Sequence, residues 1–106
     1  MLEISVLEAA GLLEDNPSEV ILLDVREDAE LRTASVSSAL HIPMGQIPDR
    51  LAELDKTYTI LCMCHAGGRS AQVARFLADQ GYDKICNVTG GIDAWSLQVA
   101  PQIPRY

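Results

Sequence analysis

Two short apolar runs constrain this chain more than any other feature. VILLD at residues 20 to 24 is a continuous series of β-branched and aliphatic residues, and TYTILCM at 57 to 63 is the strongest strand pattern present. A strand with one wet face alternates polar and apolar residues, whereas an unbroken apolar run suits a strand covered on both faces. Such strands occur in sheets sandwiched between helices.

The intervening sequence supplies the helices. Ser5 and Glu8 have capping-box spacing, and the apolar residues that follow predict a first helix from about Val6 to Glu14, broken by Asn16 and Pro17. LHIP at 40 to 43 reads as a short strand ended by Pro43. IPDRLAELD at 47 to 55 has Pro48 in the first turn of a short helix. SAQVARFLADQG carries Ala71, Ala74, Leu77 and Ala78 on one face, with Gly81 placed for a left-handed helix end. ICNV at 85 to 88 is a further strand, and Gly90 and Gly91 introduce a short helix containing Trp95. Alternation of this kind predicts an α/β fold: a central, mostly parallel sheet flanked by helices on both faces. We expect one domain over residues 1 to 106, with an irregular tail from about 99 to 106.

Composition narrows the partners. The 106 residues are 48% hydrophobic, enough for a core, and no stretch reaches the ~20 apolar residues of a membrane span. The N-terminus MLEISVLEAAGLLED is acidic where a signal peptide would be basic, so a soluble, cytoplasmic protein is expected. A net charge of −7 argues against nucleic acid and anionic membranes, which are bound through clusters of Lys and Arg. Three cysteines, an odd number, do not build a disulfide framework and read as free thiols.

Of the three, Cys64 is set apart by position. It ends the central strand pattern, at the sheet edge where α/β proteins bind ligands, and CHAGGRS leads from it directly into a helix expected to begin near Ser70. Gly67 and Gly68 permit positive φ, so backbone N–H groups of the loop can turn onto one centre, and the helix start adds its own free donors. A thiol in that setting is pushed toward thiolate. The same amides suit a terminal sulfur anion or a bound oxyanion, and Arg69 adds a fork-shaped cation. Cys62 reads as core packing. A metal site from Cys62, Cys64 and His65 is disfavoured, because structural zinc sites use wider ligand pairs. His65 by itself fits a solvated loop residue as well as a participant.

The stretch CHAGGRS, Cys64 to Ser70, resembles the active-site loop of the rhodanese (sulfurtransferase) family. The resemblance extends to LLDVRED at 22 to 28 with Glu30, to ALHIP at 39 to 43 and to TGGIDAW at 89 to 95, in the family's order over most of the chain. It implies a rhodanese-like fold and transfer of a sulfane sulfur through a persulfide on Cys64. His65, Ala66, Gly67, Gly68, Arg69 and Ser70 would then bind the substrate. Asp24 and Arg26, matching an Asp-Val-Arg motif, would be structural, which agrees with the tendency of an Asp at a strand end to brace loops. No cofactor and no metal are implied. The partners would be a small sulfur-containing donor, such as thiosulfate or a persulfide, and a cyanide, thiol or protein-thiol acceptor. One segment departs from the pattern: Ala34 to Ala39 replaces a glycine-containing stretch, so a different local path is expected there.

Two other readings stay open on sequence. A cysteine phosphatase or arsenate reductase also uses a Cys, an amide cradle and an Arg, but with five intervening residues, whereas four separate Cys64 from Arg69. A non-enzymatic sulfur carrier or interaction module would use the same persulfide.

Overall fold

The computed structural model describes all 106 residues. Its strands are β1 (Leu2–Ile4), β2 (Val20–Asp24), β3 (Leu40–His41), β4 (Thr59–Met63) and β5 (Ile85–Val88), and they form one sheet in the order β1-β5-β4-β2-β3. All four pairings are parallel. The helices are α1 (Val6–Asp15), α2 (Asp28–Thr33), α3 (Gly68–Asp79) and α4 (Gly91–Gln98), with two 3-10 turns at Met44–Gln46 and Pro48–Glu53. No helix is long and apolar enough to cross a membrane.

The unbroken apolar runs are explained by the pleat. Successive side chains of a strand point to opposite faces, so one run feeds two cores. Ile60 and Cys62 of β4 join Leu23, Val73, Ala74 and Leu77 on the α3 face. Leu61 and Met63 join Leu22, Val6, Ala9, Ile92 and Trp95 under α1 and α4. β4 lies at the centre, with β2 and β5 as neighbours, so the residue that follows it emerges at the middle of the sheet's carboxyl edge.

Local signals act as their chemistry requires. Ser5 Oγ accepts from the Glu8 N–H at 3.1 Å and Glu8 accepts from the Ser5 N–H, closing the capping box of α1. Gly81 has φ +92° just past the end of α3, as expected for its left-handed role. Other expectations need correction. α3 begins at Gly68 rather than near Ser70, and its buried stripe is Ser70, Val73, Ala74 and Leu77, with Ala71 and Ala78 at its half-buried margins. The helix expected at 47 to 55 is a 3-10 turn, kinked at Arg50. β1 and α2 were not foreseen. β1 is three residues long, and no residue of α2 is buried, so neither has a pattern for periodicity to detect.

The Ala34–Ala39 segment resolves without glycine. No non-glycine residue in the chain has a positive φ, so its path through Ala34 and a turn closed by Ala39 N–H to Val36 O needs no left-handed conformation. The carbonyl of Ala34 accepts from Arg26 Nη2 at 2.8 Å.

Arg26 and Asp24 are both fully buried and paired, Nη2 to Oδ2 at 2.7 Å and Nε to Oδ1 at 3.0 Å. The guanidinium also reaches the carbonyl of Glu30 at 3.5 Å and the hydroxyl of Tyr106 at 2.8 Å, while His41 Nε2 donates to the Arg26 carbonyl at 2.6 Å. The pair therefore ties the ends of β2, α2 and β3 to the tail. Removing one partner leaves an uncompensated buried charge. Asp24→Asn should lower unfolding stability by about 3–5 kcal/mol, and Arg26→Gln by a similar amount. Urea denaturation measures both, and a loss below about 1 kcal/mol for either would contradict this role for the pair.

Candidate active site

Cys64 is the first residue after β4, and its backbone is fixed from behind. The N–H groups of Ile92 and Asp93, in the first turn of α4, donate to the carbonyls of Cys64 at 2.9 Å and His65 at 3.1 Å. These donors have no partner within their own helix, so the loop and α4 satisfy each other. The approach is close enough that a Cβ on Gly91, which has φ +58°, would collide with both carbonyl oxygens. This explains the Gly at position 91 in physical terms.

From Cys64 the chain turns through His65 and Ala66 to Gly67, whose φ of +120° is open to glycine and strained for any other residue. That turn aims the Gly67 N–H at Cys64 Sγ, 3.1 Å away. Gly68 was expected to share this freedom, but it has no positive φ and opens α3 instead. Arg69 and Ser70 thus belong to the helix's first turn.

Ser70 is buried, and its hydroxyl lies 3.4 Å from Cys64 Sγ, 3.2 Å from the Gly67 carbonyl and 2.5 Å from Asn87 Oδ1. A hydroxyl has one proton but accepts as well. It can accept from a Cys64 thiol while donating to Asn87, or turn that proton onto a thiolate. Asn87 is held in place by its amide, which donates to Glu3 Oε1 at 2.9 Å and to the Gly67 carbonyl at 3.2 Å.

The three thiols are all buried but differ in their donors. Burial raises the pKa of Cys64, yet the Ser70 hydroxyl and the N–H groups of Ser70, Gly67 and Ala66 outweigh it and leave the thiol below its ordinary value. Burial pushes Cys62 up to about 12, with the neighbouring cysteine charges adding to it. Cys86 is also raised, again chiefly by burial.

Arg69 does not point its charge solely at the sulfur. Its guanidinium makes a two-pronged pair with Glu30, Nη1 to Oε1 at 2.5 Å and Nη2 to Oε2 at 2.9 Å. Those bonds, against partial burial, raise Arg69 above its ordinary pKa, and the charge of Cys64 adds to the effect. Hydrogen bonds from Arg69 hold Glu30 down to about 2.

His65 is not a solvated loop residue. Its ring stacks on Tyr106 with centroids 4.2 Å apart and planes 16° from parallel, and its Nε2 is buried without a hydrogen-bond partner. Tyr106 was expected only as part of an irregular tail. Arg26 Nη1 donates to its oxygen at 2.8 Å, and the hydroxyl donates onward to Glu30 Oε2 at 2.7 Å. Arg105, beside it, pairs with Asp93 at 2.8 Å.

The structure thus gathers Cys64, His65, Gly67, Arg69 and Ser70 in one place, with Ala66 and Gly68 exposed on the loop's outer side. Asp24 and Arg26 lie beneath, away from solvent. Sequence reasoning gave no role at the site to Glu3, Glu30, Asn87 or Tyr106. Asn87 had a signal, a lone polar residue within the otherwise apolar ICNV, but Tyr106 had none.

Comparison with known proteins agrees with this architecture. Residues 5–98 match the Rhodanese-like domain family. YtwF of Bacillus subtilis is 38% identical over 103 residues, spanning 95% of this chain and 99% of that protein. The thiosulfate sulfurtransferase GlpE of Tolumonas auensis is 35% identical over 92 residues, 87% of this chain and 85% of its own length. Among solved structures, a rhodanese-like domain protein from Staphylococcus aureus superposes with a TM-score of 0.84 at 32% identity, covering 100% of this chain and 99% of that one. The Cys64–Ser70 loop, the parallel sheet that presents it and these matches lead to one conclusion: the chain belongs to the rhodanese-like family.

Proposed function

We propose that the protein is a sulfurtransferase that moves a sulfane sulfur from a small donor to a thiophilic acceptor through a persulfide on Cys64. The observation that carries this reading is the selective supply of donors: of three buried thiols, Cys64 alone is held below its ordinary pKa. The thiolate of Cys64 attacks the outer sulfur of the donor. The donor's S–S bond breaks and its remainder leaves with the electron pair, as sulfite from thiosulfate or a thiolate from a persulfide. The new terminal sulfur carries the negative charge, and in this reading the N–H groups of the Cys64–Ser70 turn, which bond Sγ itself in the free protein, are shared with it. An acceptor, cyanide or a thiolate, then attacks that terminal sulfur and Cys64 departs as thiolate, which completes a double displacement.

In this reading Gly67 and Ser70 act on the sulfur, Arg69 and His65 line the approach, and Asp24 and Arg26 hold the scaffold. The short span of four residues between Cys64 and Arg69 favours a cradle centred on one sulfur atom over the wider ring that a tetrahedral oxyanion needs. Three unpaired cysteines suit a reducing compartment, consistent with a place in the cytoplasm.

Intact mass after incubation with thiosulfate or with a low-molecular-weight persulfide should show a gain of one sulfur atom on the native protein and none on Cys64→Ser. Thiosulfate:cyanide turnover should fall at least about a thousandfold in that variant, because a covalent route is removed. Cys62→Ser should retain turnover in its folded fraction. Hydrolysis of aryl phosphates by the native protein, with no persulfide from any donor, would overturn the proposal in favour of phosphoryl chemistry.

Alkylation provides a separate check. Cys64 should label with iodoacetamide ahead of Cys62 and Cys86, with a midpoint below the ~8.5 of a free thiol. Ser70→Ala removes a donor to the thiolate, so its midpoint should move upward. Equal pH dependence at all three cysteines would contradict the activation described.

A further inference from the structure

The cations around Cys64 are each matched by an anion. Arg26 is consumed by Asp24 at 2.7 Å, Arg69 by the two-pronged contact with Glu30, and Arg105 by Asp93. Glu30 is also held rigidly. Its carboxylate takes both guanidinium nitrogens of Arg69, the Tyr106 hydroxyl at 2.7 Å and the Glu27 N–H at 3.2 Å, and Tyr106 is anchored in turn by Arg26. The sulfur's surroundings therefore consist of neutral backbone donors and a hydroxyl, beside an arginine whose charge is cancelled. Such a site stabilises one negative charge on a transferred sulfur but offers nothing extra to a second charge on the donor. The chain's net charge of −7 works against a dianion as well.

Building on the sulfurtransferase reading, we propose that Glu30 determines donor specificity: by locking Arg69 in a charge-neutral pair, it makes the site select sulfane-sulfur donors bearing no more than one negative charge over dianionic ones. Organic thiosulfonates and cysteine persulfide belong to the favoured class, and thiosulfate to the disfavoured one. Glu30 is a positioning residue here, acting through Arg69.

Thiosulfate and methanethiosulfonate isolate the charge, since both present a terminal sulfur on an oxidised sulfur. In each case Cys64 thiolate takes the terminal sulfur, forming the Cys64 persulfide anion, and the S–S electron pair leaves on sulfite or on methanesulfinate. The measurement is kcat/KM for both donors, with a common thiol acceptor, in the native chain and in Glu30→Gln. Gln keeps the shape and one carbonyl oxygen, which can accept from the Glu27 N–H, while its amide group faces the Tyr106 oxygen as a donor and the charge is removed. The native protein should prefer methanethiosulfonate. Glu30→Gln should raise the ratio of thiosulfate to methanethiosulfonate by about tenfold, the scale of one charge released at a partly exposed site, and added salt should shrink the gain. In Glu30→Gln/Arg69→Gln the gain should vanish, because no cation remains to be released.

A structural role alone would change both donors by one factor and leave the ratio fixed. An unchanged or lowered ratio in Glu30→Gln, with persulfide still formed on Cys64 by intact mass, overturns the inference and leaves sulfur transfer intact. Absence of persulfide from both donors in the native protein overturns the sulfurtransferase reading and this inference with it.

Discussion

The carboxyl edge of this sheet depends on a charge pair that never meets solvent. Asp24 and Arg26 are separated by one residue at the end of β2, and the guanidinium binds the carboxylate, the Ala34 carbonyl at the end of α2 and the tail's Tyr106. A buried ion pair is weak evidence of net stabilisation, since desolvation offsets much of the attraction. Its value lies in geometry. Arginine has five fixed donors, and here they set the relative positions of segments that bury little apolar area of their own. α2 has no buried residue, yet it carries Glu30, the partner of Arg69.

A second constraint acts from the other side of the loop. The free N–H groups of α4 grip the carbonyls of Cys64 and His65, which prevents the loop from drawing those carbonyls inward toward the sulfur. With the carbonyls turned away, the N–H groups of the next residues face Sγ. Gly91 makes the grip possible by having no Cβ, and Gly67 makes the turn possible by its φ of +120°. The two glycines thus serve one outcome, donors inward and acceptors outward, which is the polarity that an anionic sulfur requires.

The parts of this arrangement legible in sequence are those with a short-range signature. Continuous apolar runs marked β2 and β4, capping chemistry marked α1, and a Cys-to-Ser loop between strand and helix marked the candidate site. Asp24 and Arg26, expected as structural, are both fully buried. What stayed hidden is long-range. Glu30 lies 39 residues from Arg69, and Tyr106 lies 76 from Glu30, so no window of sequence contains either contact. The start of α3 was placed about two residues late because Gly68 reads as loop, although a glycine at a helix start costs little where the chain must turn sharply. β1 was missed because three residues paired only to β5 leave too short a pattern.

Cys62 and Cys64 show most directly what burial can and cannot do. They stand two residues apart, face the same core and are 0% and 2% exposed. On burial alone both thiols should be raised and inert. One residue beyond the strand, however, Cys64 leaves the β ladder, where backbone donors are committed to neighbouring strands, and enters a turn whose donors are uncommitted. Cys62, the more deeply buried, has only desolvation and like charges acting on it and rises to about 12, while Cys64 is less desolvated and its donors outweigh that burial, so it is lowered. The difference in acidity between the two thiols therefore follows from where the strand ends. Extending β4 as far as Gly67 would hand the Ala66 and Gly67 amides to the sheet and leave the same cysteine in the same core with burial as its main influence.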